Sequence, residues 1–232
     1  MRKYDAIFFD MGETLVYHRP SHEEVFYTVL EQLGWRVSPQ QRAAGMRWAR
    51  QAMSSFDARL RDAGVSPKAL EEEFFRAFLE AVGIAPITPE LIEQVQEKQR
   101  ALRQEQKMVC PPGVHELLRE LRGTGYHLGI ISNWDASLSR HCDEHGLSPY
   151  FDGIHASMLV GSSKPDAGIF QHALAQAGVA PQRALHVGDN YYADVLGARA
   201  AGMQPLLLDP HRLHPDADCP SMPSLTDLPA YL

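Results

Sequence analysis

Cysteine is scarce in this chain: Cys110, Cys142 and Cys219 are the three among 232 residues, odd in number and far apart. They can build neither a disulfide framework nor a four-thiolate zinc site, and they read as reduced thiols. Long apolar runs are also missing. The opening Met1-Arg2-Lys3-Tyr4-Asp5 leads into only Ala6 to Phe9 before Asp10, whereas a secretory signal needs an apolar stretch of about 7–15 residues and a membrane helix about 20. Positive charge is in deficit. Lys and Arg number 22 against 29 Asp and Glu, a net −7 that argues against a nucleic-acid binder living on phosphate contacts. These absences lead to the expectation of a soluble, cytoplasmic monomer or homodimer with neither nucleic acid nor membrane among its partners.

What is present has the texture of a folded globular protein, with 44% hydrophobic and 22% charged residues, which excludes wholesale disorder. Residues 4–10, 126–132, 184–188 and 205–208 are compact apolar runs stopped by Gly, Asp or Asn, as in buried strands of a parallel sheet. A weaker strand is expected near Ile154–Leu159. Amphipathic stretches accompany them: Val114-Leu117-Leu118-Leu121, Ile169-Phe170-Ala173-Leu174 and Val195-Leu196-Arg199-Ala200. The alternation predicts a doubly wound, mostly parallel α/β sheet.

Residues 16–109 read differently. Ser21-His22-Glu23-Glu24 is a capping box, and Ser38-Pro39, Ser66-Pro67 and Thr88-Pro89 each place a hydroxyl before a proline at the first helical position. About four helices and no strand are expected there. Charge follows the same division: the insert holds 13 basic and 13 acidic residues, and the remaining 9 basic and 16 acidic residues carry the whole net charge. The expected organisation is an α/β core from 1–15 and 110–232 with a helical domain inserted over 16–109. The proline-rich tail from Asp209 to Pro229 reads as loop and short structure.

Ligands of an open parallel sheet sit at the carboxyl ends of its strands. The first strand ends in Asp10-Met11-Gly12-Glu13, the strand at 126–132 in Ser132-Asn133, and the strand at 184–188 in Gly188-Asp189-Asn190 with Asp194 beyond. A loop carries Ser163-Lys164-Pro165-Asp166. Carboxylates beside a fixed ammonium suit a divalent cation and a phosphoryl group. Singly, each residue is better explained as a turn former, cap or exposed side chain; the four strand ends together point to a site.

These four segments, with KPDAGIF and HVGDNYYADVLGARAAGM in that order, resemble the four motifs of the haloacid dehalogenase-like hydrolases. The helical insert is similar to the α-helical cap of the subgroup holding small-molecule phosphatases and dehalogenases, a mobile element that excludes bulk water. The resemblance spans essentially the whole chain. It implies that Asp10 attacks phosphorus to form an aspartyl-phosphate. It implies Mg²⁺ held by Asp10, the Gly12 carbonyl and Asp189, with Asp194 acting through water or by orienting Lys164. Ser132 is implied to bind a phosphoryl oxygen, Asn133 to shape that site, and Lys164 to neutralise charge, on a small phosphorylated substrate.

One departure matters. Phosphatases of this family usually carry an acid/base aspartate two residues after the nucleophile, where this chain has Gly12. Such catalysis contributes about 10²–10⁴-fold, so alkyl phosphates should suffer most and acyl, aryl or anhydride phosphates least. Glu13, Tyr17, His18 or a residue of the insert are the candidate substitutes; neighbouring side chains on extended backbone point apart, which counts against Glu13. The alternatives are a non-catalytic metal and phosphate binder, a metal-free 2-haloacid dehalogenase, and a phosphonate hydrolase using Lys68, Lys98 or Lys107, each expected on a polar helix surface. Trp134 is placed to line the pocket, Trp35 and Trp48 to pack helices, and Gly161 and Gly188 to make turns. His211, His214, Asp216, Asp218 and Cys219 have metal-ligand chemistry but lie in a proline-rich loop.

Overall fold

The computed structural model describes residues 2–60 and 66–232, with the backbone alone for residues 50, 53–60, 67 and 68. The chain divides into two compact units, Met1–Tyr17 with Val109–Leu232, and His18–Met108. Strand β1 (Ala6–Phe9) opens the first unit. The chain leaves it through β2 (Tyr17–Arg19) and passes through α1 (His22–Gln32), α2 (Pro39–Leu60), α3 (Pro67–Val82) and α4 (Pro89–Arg103). It returns through β3 (Lys107–Val109), which pairs with β2. Then come α5 (Val114–Gly123), β4 (His127–Ser132), α6 (Leu138–Glu144), β5 (Gly153–Ala156), α7 (Ser157–Val160) and α8 (Ala167–Ala177). The first unit ends with β6 (Ala184–Gly188), α9 (Leu196–Ala200), β7 (Gln204–Leu208) and β8 (Ser221–Met222).

Six strands form one sheet in the order β5-β4-β1-β6-β7-β8, every pairing parallel. This is the expected doubly wound α/β architecture. Every residue of β1 and β6 is buried, which is why these strands read as unbroken apolar runs: helices cover both faces. On one face Phe8 packs with Ile169, Phe170 and Leu174 of α8. Gly129, paired with Phe8 across the ladder, leaves that ring its place; a Cβ there would come 2.6 Å from Phe8 Cδ1. On the other face the Phe9 ring meets Phe151 edge-on.

The helical unit has its own core of Phe26, Tyr27, Val29, Leu30, Phe78, Leu79 and Val82, with Trp35 and Trp48 packed against it. Its helices start where the sequence places caps. Ser21 Oγ accepts from Glu24 N while Glu24 Oε2 accepts from Ser21 N; Ser38 and Gln41 repeat the exchange. Ser66 and Thr88 each cap with a hydroxyl before proline.

Two strands lie within 16–109, contrary to the all-helical expectation. β2 and β3 span three residues each, too few to show an alternation, and they form by pairing with each other. Lys107 therefore begins a strand rather than sitting on a helix. The weak strand expected to reach Leu159 stops at Ala156, where α7 begins and leaves Met158 and Leu159 exposed. Among the described residues, no helix is long and apolar enough to cross a membrane.

Candidate active site

β4 and β6 flank β1, so the carboxyl ends of all three lie side by side. Asp10 follows β1, and its N–H extends the ladder to Val187 O at 2.8 Å. Ser132 ends β4, 2% exposed, and its hydroxyl hydrogen-bonds the Asp10 carboxylate. Asp189 follows β6. Lys164 reaches in from the loop before α8, its side chain 2% exposed.

Lys164 Nζ lies 2.6 Å from Asp10 Oδ1 and 2.6 Å from Asp194 Oδ1. The loop that carries it is clamped twice. Asn133 Nδ2 donates to Lys164 O at 2.9 Å, and Lys164 N donates to Asn133 Oδ1 at 2.8 Å. On the other side, Gly197 of α9 approaches so closely that a Cβ would stand 3.0 Å from Pro165 Cα. Asn133 thus acts on the lysine's backbone, a contact that a strand-end Ser-Asn does not announce.

Asp194 sits in a π-helical turn over Tyr191–Val195, capped by Asn190, whose Oδ1 accepts from Tyr192 N and Ala193 N. Asn190 N donates in turn to Asp194 Oδ2 at 3.0 Å. The Asp194 carboxylate enters the space over Gly188, where a Cβ would come 2.2 Å from Asp194 Cγ. Gly188 is therefore a close-approach glycine and not the turn residue expected from its position; Gly161, at φ 74, does end a helical turn. His186 on β6 supplies a partner that the sequence reading missed: its Nε2 lies 2.9 Å from Asp194 Oδ1. The signal was available, since His186 is the one polar side chain within the apolar run ALHVG.

The carboxylates of Asp10, Asp189 and Asp194 offer oxygens within 4.8 Å of one another. Burial works against charge on Asp194, but the Lys164 ammonium and the His186 hydrogen bond outweigh it and hold that carboxyl well below its usual range. Burial likewise opposes the charge on Lys164, and the two flanking carboxylates overcome it and raise the lysine above its ordinary value. Asp10 moves the other way: burial, reinforced by the Asp194 charge, raises it against the pull of Lys164. Three acidic groups against one ammonium leave an excess of negative charge in a nearly dry site, which a divalent cation would neutralise.

Gly12 needs no glycine conformation, and a Cβ on it would meet only Trp134 Cζ3 at 3.6 Å. Glu13 instead adopts φ 54, in the left-handed region, within a turn closed by Leu15 N and Val16 N on Met11 O. The extended backbone assumed for Glu13 is not what the loop adopts, so its side-chain direction does not follow from strand alternation. His18 packs its ring on His22 in the helical unit. Lys98 and Lys107 are exposed, and the side chain of Lys68 lies outside the described residues. In the tail, Asp218 is taken by Tyr191 Oη and Arg199 Nη1, each at 2.7 Å, and no acidic, histidine or cysteine cluster with metal-ligand spacing forms there among the described residues.

Residues 4–202 match the family model of the haloacid dehalogenase-like hydrolases. The chain is 32% identical over 218 residues to human haloacid dehalogenase-like hydrolase domain-containing protein 3, covering 89% of this chain and 82% of that one. It is 34% identical over 164 residues to a phosphoserine phosphatase of Thermus thermophilus, covering 70% of this chain and 62% of that one. Its fold is similar to that of the magnesium-bound HAD-hydrolase YfnB from Bacillus subtilis, with a TM-score of 0.63 at 18% identity over 100% of this chain and 99% of the other. The ordered strand-end residues and these matches agree: the chain belongs to the haloacid dehalogenase-like hydrolase family.

Proposed function

We propose that this protein is a magnesium-dependent phosphatase of small phosphorylated molecules, with Asp10 as its nucleophile. The observation that carries the proposal is the packing of Lys164 between Asp10 and Asp194, with Asp189 close enough to share a cation with them. The donor set suits magnesium, a hard ion that takes carboxylate and carbonyl oxygens. Asp10, Asp189 and the Gly12 carbonyl would hold it. Asp194 would act through water, because its Oδ1 already serves Lys164 and His186 and its Oδ2 serves Asn190. The ion would supply charge neutralisation at the phosphoryl oxygens.

Asp10 attacks phosphorus as a carboxylate, the bond from phosphorus to the leaving oxygen breaks, and an aspartyl-phosphate forms. Water then attacks phosphorus, the bond to Asp10 breaks, and inorganic phosphate leaves. Ser132 donates its hydroxyl to a phosphoryl oxygen, and Lys164 balances the charge that accumulates beside Asp10. With glycine at position 12, no carboxylic acid stands there to protonate an alkoxide. Acyl, aryl and anhydride phosphates, whose leaving groups depart as stable anions, are the favoured substrates. The name of the Thermus thermophilus relative supports phosphatase chemistry in general; phosphoserine is itself an alkyl phosphate, so the preference for acyl, aryl and anhydride phosphates rests on Gly12 alone. A small substrate, a cytoplasmic site of action and independence from nucleic acid and membrane belong to the same proposal.

Hydrolysis of an aryl phosphate with and without Mg²⁺ tests it. Turnover that needs the metal and disappears in Asp10→Asn supports the phosphatase. Silence across a broad phosphate panel favours a non-catalytic binder, and halide release from 2-haloacids in excess chelator favours a dehalogenase.

A further inference from the structure

We propose that His186 is a positioning residue of this site: its Nε2–H engages Asp194 Oδ1 and thereby keeps the Lys164 ammonium shared between Asp194 and Asp10. The inference rests on the phosphatase reading for its kinetic test, but not for its structural one.

His186 lies in the middle of β6, paired with Phe8 of β1 and Pro205 of β7, and its side chain is fully buried. The edge of one ring meets the face of the other where it packs on Phe170, with centroids 5.0 Å apart. Packing alone would be served as well by leucine or phenylalanine. An ionised carboxylate only accepts, so the proton on this face of the imidazole must sit on Nε2. Nδ1, on the other side of the ring, is buried with no hydrogen-bond partner. An orphaned buried polar atom is destabilising, so the imidazole is a poor filler whose compensating contact is the bond to Asp194.

The consequence falls on Lys164. Its Nζ stands 2.6 Å from both Asp10 Oδ1 and Asp194 Oδ1. Asp194 Oδ1 divides its charge between two donors, Lys164 and His186. Without the imidazole, the whole pull of that oxygen would fall on the ammonium, drawing it toward Asp194 and away from Asp10. Asn190 N holds the other oxygen, so the carboxylate cannot rotate to compensate without breaking a second bond.

His186→Leu removes the donor and keeps an apolar filler; His186→Gln keeps a donor at similar reach. On an aryl phosphate with Mg²⁺, His186→Leu should lower kcat about 10–100-fold with KM little changed, and His186→Gln should recover most of the loss. Equal loss in both variants, or a change confined to Tm, would overturn the proposal. Crystal structures of the two variants provide a readout independent of turnover. Lys164 Nζ should remain shared in His186→Gln and shift toward Asp194 in His186→Leu; an unmoved lysine in His186→Leu refutes the positioning role even if the wild type proves inactive. Wild-type inactivity beside a shifted lysine would instead count against the phosphatase reading alone.

Discussion

Gly188 and Asp194 share one small volume: the missing Cβ of the glycine is the space that the aspartate carboxylate fills, 2.2 Å from where that carbon would stand. Asp194 reaches Lys164 only because residue 188 has no side chain. Gly188→Ala should therefore push the carboxylate off Lys164 and cost about 1–3 kcal/mol in overpacking. A displacement of about 1 Å at a catalytic group costs on the order of 10²-fold in rate. Urea denaturation together with aryl phosphate kinetics checks both, and an alanine variant matching the wild type in each would show that the turn can retreat without loss.

Lys164 is the cation that makes two buried carboxylates tolerable. Lys164→Met leaves them uncompensated and should destabilise the protein by about 3–5 kcal/mol in the presence of chelator. Lys164→Met combined with Asp194→Asn should lose less than Lys164→Met alone, because one stranded charge has been removed. Additive losses in the double-mutant cycle would mean that the lysine and Asp194 are not energetically coupled.

The loop after β1 places its glycine where the backbone does not need one and a glutamate where it does. A side chain at Gly12 has room, so Gly12→Asp should fold with a stability change within about 1 kcal/mol. It should raise turnover of alkyl phosphates more than that of aryl phosphates, toward the roughly 10²–10⁴-fold that an acid/base supplies. Glu13→Gly should stabilise the protein by up to about 1 kcal/mol, since a left-handed conformation costs a side-chain-bearing residue about 1–2 kcal/mol. Equal gain on both substrate classes would show that another group already handles the proton. A lower melting temperature in Glu13→Gly would show that the carboxylate's contacts outweigh the strain.

His155 makes stability depend on acid. It is 7% exposed, and burial, with His172 and His127 nearby, pushes its pKa from the usual 6.5 down to about 4. Between those values the unfolded chain takes a proton that the folded chain refuses. The contribution is complete above pH 6.5 and is lost as pH falls through 4, amounting to about 3 kcal/mol at most. His155→Leu should flatten the stability profile across that window, as followed by denaturant melts at half-unit pH steps; an unchanged slope would place the acid sensitivity elsewhere.

Much of the core unit was legible because burial on both sheet faces leaves an unmistakable mark. β1, β4, β6 and β7 announce themselves as apolar runs, and Ser21, Ser38, Ser66 and Thr88 announce helix starts by a hydroxyl satisfying an open N–H. β5 was blurred because Gly153-Ile154-His155-Ala156 passes without a break into Ser157-Met158-Leu159-Val160, and a short apolar sequence fits strand or helix alike. β2 and β3 were missed for lack of length. His186 was passed over because a histidine inside a buried strand acquires meaning only from its spatial neighbour.

Local sequence by itself determined which residue types stand at each strand end, since apolar runs, capping hydroxyls and turn formers are nearest-neighbour chemistry. Only the tertiary structure decided that Lys164 lies between Asp10 and Asp194, that Asn133 grips the lysine's backbone, and that Gly188 makes way for a carboxylate. Those relationships depend on β4 and β6 lying on either side of β1 and on α9 packing against the Lys164 loop. Distances between remote segments are set by packing, which no stretch of neighbouring residues encodes.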